Sequence, residues 1–81
     1  MIHATEFSPT NLRSAREQAG LTRQDLIAEF RRLGGHKPPV ERTIAAWESG
    51  ESSPSATALA VLAQALGCQV ADFFANNGDE S

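Results

Sequence analysis

An all-α fold, a compact bundle of five short helices in one domain, is what this sequence predicts. Three observations carry it. Apolar residues recur at the i, i+3, i+4, i+7 spacing of a helical face in successive stretches. A serine, threonine or proline stands where each of the first four stretches opens, and a glycine where each closes. No stretch reads as a strand.

The first helix opens at Ser8-Pro9-Thr10, carries Leu12, Ala15, Arg16 and Ala19 on one face, and ends at Gly20. Thr22 caps the second, with Asp25 three residues on, where a carboxylate favours the positive helix end. Its buried stripe is Leu26, Ile27, Phe30 and Leu33. Gly34-Gly35 breaks it, and His36-Lys37-Pro38-Pro39 cannot continue it, because each proline biases its predecessor away from the helical region. Pro39 instead opens a third helix over about 39–49, closed by Gly50. A rotation of about 100° per residue groups Val40, Ile44 and Trp47 on a core face and turns Arg42, Ala45, Ala46 and Ser49 outward. After the turn Glu51-Ser52-Ser53-Pro54, Ser55 caps a fourth helix with apolar Leu59, Leu62, Ala63 and Leu66, which Gly67 closes. Val70, Phe73 and Phe74 mark a short fifth helix, ended by Asn76-Asn77-Gly78.

At 81 residues the chain holds one domain, 1–81, with its core over about 10–74 and a polar tail over 75–81. A domain this small hides only about 60% of the surface its unfolded chain exposes, so association with a second copy is a natural source of stability. With 41% hydrophobic and 21% charged residues it is neither disordered nor collagen-like. One cysteine, Cys68, excludes an intramolecular disulfide, and with only His3 and His36 to join it no zinc site is expected. Cys68 reads as a small core residue, His36 as a solvated turn residue and His3 as a terminal one. The longest apolar run, Leu59 to Leu66, is broken by Gln64 and falls far short of the ~18 residues of a membrane span. The first residues lack the regions of a signal peptide, so the cytoplasm is the expected compartment. There is no tyrosine and no P-loop motif, and neither histidine has an evident nucleophile, so neither catalysis nor a cofactor is expected.

Net charge is −3, which argues against a polyanion partner, but the average hides an asymmetry. All seven basic residues precede Thr43, among five acidic ones, whereas residues 43–81 hold five acidic residues and no basic one. Such a chain folds into a dipole, with one face able to meet phosphate and another repelling it.

The second helix, a glycine-containing turn and the third helix make a helix-turn-helix outline. The run Leu12-Arg13, Arg16-Glu17, Ala19-Gly20-Leu21-Thr22, Gln24 and Leu26 resembles the opening of the phage-repressor (Xre/Cro-like) helix-turn-helix domains. So do Thr43-Ile44, Trp47-Glu48-Ser49-Gly50-Glu51, Pro54-Ser55, Leu59, Leu62-Ala63 and Ala65-Leu66-Gly67, and the resemblance covers about residues 10–74. It implies a lambda-repressor-like fold. It also implies sequence-specific binding of double-stranded DNA by a transcriptional regulator, a repressor, with the third helix in the major groove.

Residue by residue, the resemblance gives Gln24 a backbone phosphate, with Arg23 adding charge at a helix end whose free N–H groups favour anions. Read without it, Thr22-Arg23-Gln24 is an ordinary polar helix start. Glu41, Arg42 and Ala46 match the base-reading positions. The fork of Arg42 fits O6 and N7 of guanine, a contact that discriminates by about 1–3 kcal/mol. Glu41 either accepts from cytosine N4 or is a favourable charge at a helix start. Ala45 and Ala46 either meet a thymine methyl or are simply good helix formers, which is the plainer reading. Ser49 completes the outward face, and the Ser53 and Ser55 hydroxyls are phosphate donors in a turn without lysine or arginine. Arg16 on an apolar stripe and Glu48 beside the core face each need a partner, and the resemblance implies a structural salt bridge between them.

Gly34 to Pro39 is longer than the usual turn of about three or four residues. Two consequences stay open. Either the third helix is displaced and reads DNA weakly, or Arg31, Arg32, His36 and Lys37 form a basic wing over the phosphates. The rival to a DNA reader is a protein-interaction module or antitoxin-type adaptor of the same fold with weak or no DNA binding, which the acidic second half permits. A single recognition helix has too small a footprint for much specificity, so the expected partners are a palindromic operator and a second copy of the chain. Phe74 is the expected dimer contact.

Overall fold

The computed structural model describes residues 5–76. Four α-helices, α1 (Pro9–Gln18), α2 (Arg23–Leu33), α3 (Glu41–Ser49) and α4 (Ala56–Leu66), are framed by two three-residue strands, β1 (Thr5–Phe7) and β2 (Phe74–Asn76). His3 and residues 77–81 of the expected tail lie outside the described residues.

Three helix starts follow from their cap residues. Ser8 accepts from the Asn11 N–H at 3.1 Å, with Pro9 in the first turn, and Ser55 accepts from the Ala58 N–H at 3.1 Å. At α2 the cap is reciprocal: Asp25 N–H donates to Thr22 Oγ1 at 3.0 Å, and Thr22 N–H donates to an Asp25 carboxylate oxygen at 2.9 Å. Those bonds, the backbone one foremost, hold the Asp25 carboxyl below its ordinary range. The start of α3 differs. It falls at Glu41, and Pro39 is buried before it rather than inside its first turn. The cap is Val40, which makes no side-chain hydrogen bond and is 63% exposed, not on the core face that its rotation about the helix axis suggested.

The fifth helix is corrected to a single 3-10 turn, Val70–Phe73, so the bundle has four α-helices. Phe74 then takes an extended conformation and opens β2, which runs antiparallel to β1 with Phe7 opposite Phe74. The expectation of no strand fails here for a physical reason. Three residues are too few to show alternation, and the partner lies at the other end of the chain. The ribbon also takes the start of the expected tail, Ala75 and Asn76. Ser8 N–H donates to the Phe73 carbonyl at 2.7 Å, which ties the ribbon to the start of α1.

The core joins Leu12 of α1, Leu26, Ile27 and Phe30 of α2, Ile44 and Trp47 of α3, five residues of α4 and Phe73. Ala19 and Val70, both assigned above to apolar faces, are exposed. Cys68 is half-buried against the core, and burial pushes its thiol pKa up. No helix among the described residues is long and apolar enough to cross a membrane.

Phe73 is fully buried where the 3-10 turn closes the core. Phe73→Ala is expected to cost about 3–5 kcal/mol in a urea melt, much of what a domain of this size has. A loss below 1 kcal/mol would show that the turn is not part of the core. Asp25 gives a pH signature. Because its folded pKa is lowered, its contribution is complete above the ordinary Asp value of about 3.9 and is lost as pH falls through the lower folded value. Asp25→Asn is expected to destabilise at neutral pH and to flatten the acid limb of the stability curve.

Candidate nucleic-acid interface

The helices that carry the candidate site residues are joined at one carboxylate. Glu48, near the end of α3, has a side chain only 2% exposed, and the Arg16 side chain of α1 is 11% exposed. Arg16 Nε donates to Glu48 Oε2 at 2.6 Å and Arg16 Nη2 to Oε1 at 3.3 Å, a two-point fork. The remaining Arg16 nitrogen, Nη1, donates to the Leu21 carbonyl at 2.8 Å in the α1–α2 connection. From the first turn of α2, Arg23 Nε donates to the same Glu48 Oε1 at 3.2 Å. Glu48 thus binds α1, α2 and α3 together, and its hydrogen bonds hold the Arg16 pKa above the ordinary guanidinium value despite burial.

A second carboxylate stands beside it. Gln24 Nε2 donates to Glu41 Oε1 at 3.0 Å, and Arg23 Nη1 lies 3.9 Å from Glu41 Oε2. The residues assigned above to phosphate, Arg23 and Gln24, are therefore brought together with Glu41, one of those assigned to bases. Together with Arg16 and Thr22 they line an open cleft of about 490 Å³ at the start of α2.

Glu41, Arg42 and Ser49 are exposed on α3, and Ala45 and Ala46 are half-buried. The Ser49 hydroxyl donates back to the Ala46 carbonyl at 3.2 Å. Gly50 ends the helix with a φ of 87°, a left-handed conformation that favours glycine, while a Cβ there would make only ordinary contact with Pro9 of α1 at 3.5 Å. Ser53 is exposed, whereas the Ser55 hydroxyl serves the α4 cap.

The long connection, residues 34–40, packs onto the body. His36 stands edge-on to Phe30 with ring centroids 5.9 Å apart, its Nδ1 lies 2.7 Å from the Lys37 carbonyl, and Pro39 is buried. His36 is accordingly half-buried rather than a freely solvated turn residue. Of the four residues of the expected wing, Arg32 pairs with Glu29 at 2.6 Å. Arg31 and Lys37 are exposed and, like Arg42, have no acidic partner among the described residues.

Residues 41–73 match the model of a family described as helix-turn-helix. Over those residues, less than half of the chain, the protein is similar to that family. That family is one of DNA-binding regulators in general. The helix-turn-helix match opens at the first residue of α3 and takes in α4 and the 3-10 turn, and it lies wholly after the long connection. No curated protein and no solved structure matches the chain.

Two features of this helix-turn-helix are absent from the expectations above. One is the role of Arg23 as a second donor to Glu48. Its signal was two arginines seven residues apart on consecutive helices with one buried carboxylate to share. The other is the bond between Gln24 and Glu41, which no local pattern announces. As for Phe74, its ring is edge-on to Phe7 with centroids 6.3 Å apart, so part of the surface assigned above to a partner copy is covered within the chain.

Removing one partner of the Arg16–Glu48 pair leaves a buried charge or donor stranded. Arg16→Met and Glu48→Gln are each expected to cost about 3–5 kcal/mol in urea melts, with the double variant losing clearly less than the combined single losses. Additive losses would show that the two side chains act independently.

Proposed function

We propose that the protein binds double-stranded DNA sequence-specifically, with α3 in the major groove, and acts as a transcriptional repressor in the cytoplasm rather than as an enzyme. The observation that carries this reading is Arg42. It is an exposed guanidinium without an acidic partner among the described residues, on the outward side of a helix whose inward side is fixed to α1 by Glu48. Its fork suits the O6 and N7 edge of guanine. Lys37 just before α3 serves phosphate, Arg23 and Gln24 meet the backbone from the start of α2, and Ser53 adds a hydroxyl beyond α3. Glu41, Ala45, Ala46 and Ser49 complete the face against the bases. The operator is a palindrome read by a two-fold dimer, since paired half-sites supply the footprint that one helix lacks.

A second reading, an adaptor that keeps the fold with weak DNA binding, is favoured by one observation: Glu48 and Glu41 already occupy Arg23 and Gln24. Retention on heparin with elution by salt separates the two, because an adaptor passes through.

Selection from random duplexes is expected to yield a palindromic consensus, and failure to enrich any sequence would overturn the proposal. Arg42→Ala is expected to relax preference at one base position while leaving binding to unrelated duplexes nearly unchanged. Lys37→Ala is expected to weaken binding to all sequences and to reduce the slope of log affinity against log salt by about 0.9. The reverse pattern would exchange the two roles.

A further inference from the structure

Val40 is the most exposed large apolar side chain among the described residues. It sits at the N-cap of α3, a position that strongly prefers Ser, Thr, Asp or Asn and disfavours valine. The caps of α1, α2 and α4 are Ser8, Thr22 and Ser55, each with its side-chain hydrogen bond. At α3 alone among these helices a hydrophobic residue stands in solvent where a hydroxyl would steady the fold. A locally unfavourable residue without a compensating contact points to function rather than stability.

The surroundings indicate what covers it. Val40 lines a groove of about 340 Å³ between the long connection and α3, with Lys37, Pro38 and Pro39 on one side and Thr43 and Trp47 on the other. Lys37 and Arg42, which flank Val40 in the chain, have no acidic partner among the described residues. The patch is therefore a small apolar surface with one unpaired cation, Lys37, in its lining and a second, Arg42, two residues further along the chain on α3. An occupant with phosphates around an isolated apolar group fits it, and the major groove offers one apolar group, the C5-methyl of thymine.

We propose that Val40 is a specificity-determining residue that packs against the C5-methyl of a thymine at the edge of the site entered by α3. This rests on the DNA-binding reading above. The long connection then has a function: with Pro39 buried in the body and Pro38 half-buried, it brings Val40 to the mouth of the major groove beside Lys37.

The test uses the full 81-residue chain and the duplex enriched from random sequences. Each thymine is replaced in turn by deoxyuridine, which removes only the methyl group. One position per half-site is expected to lose about fourfold in affinity for the native protein, the equivalent of one buried methyl group. Val40→Ala and Val40→Ser are expected to abolish that sensitivity and leave the others intact. Val40→Ser also raises the melting temperature, because it supplies the missing cap, so weaker discrimination accompanies a firmer fold. If the native protein enriches no duplex, the DNA-binding reading fails and this inference with it. If it enriches one but Val40→Ser keeps every methyl effect, or no thymine is sensitive, DNA binding stands and the role of Val40 is overturned, which leaves the patch to a protein partner.

Discussion

The buried Glu48 carboxylate is the constraint on which the placement of α3 depends. α3 contributes only Ile44 and Trp47 to the buried core, whereas α4 contributes five residues, and α3 lacks a side-chain cap. Apolar burial alone holds so short a helix weakly, since isolated helices below about 12–15 residues are marginal in water. Two arginines from two other helices converge on one carboxylate at its far end and fix what packing leaves loose. Two points of contact in the Arg16 fork also limit rotation about the helix axis. A buried ion pair is a costly way to stabilise a protein compared with a hydrophobic one, so its use here fits orientation better than stability.

The same charges set the electrostatic character of the face. Glu48 and Glu41 take up Arg16 and Arg23, Glu29 takes up Arg32 and Glu17 takes up Arg13, so four of the seven basic residues are paired within the molecule. What remains toward solvent is concentrated at Arg31, Lys37 and Arg42, two of them at the start of α3. A net charge of −3 is thereby compatible with a polyanion partner, because the free cations are local and Glu48, the acidic residue of the second half that lies on α3, is buried and already paired with Arg16 and Arg23. It also limits long-range attraction, which suits a reader that relies on base contacts more than on phosphate.

Much of the architecture was legible in the chain because its punctuation is local. Ser8-Pro9, Thr22 with Asp25, Ser55, Gly34, Gly50 and Gly67 mark helix ends within one or two residues of where they fall. The Arg16–Glu48 contact followed from a charge on an apolar stripe joined to a family resemblance. What was not legible is non-local or terminal. The ribbon pairs residues at opposite ends of the chain, each strand too short to carry a pattern. Val70-Ala71-Asp72-Phe73 has helical apolar spacing, but four residues make one turn, and Phe74 leaves it to pair with Phe7. Val40 points toward the core side by rotation alone, yet it is the N-cap of α3, extended and outside the helix, so a helical wheel does not place it. The link from Gln24 to Glu41 depends on how two helices meet, not on either one.

The central claim is that α3, held by Glu48, presents the face that meets DNA. Backbone amide chemical shifts followed while the enriched duplex is added at low salt test it most directly. The account predicts changes concentrated at Arg23, Gln24 and residues 37–46, with Ala60 and Gln64 on the exposed side of α4 unaffected. Changes concentrated on α4 and the 3-10 turn, with α3 silent, would contradict it.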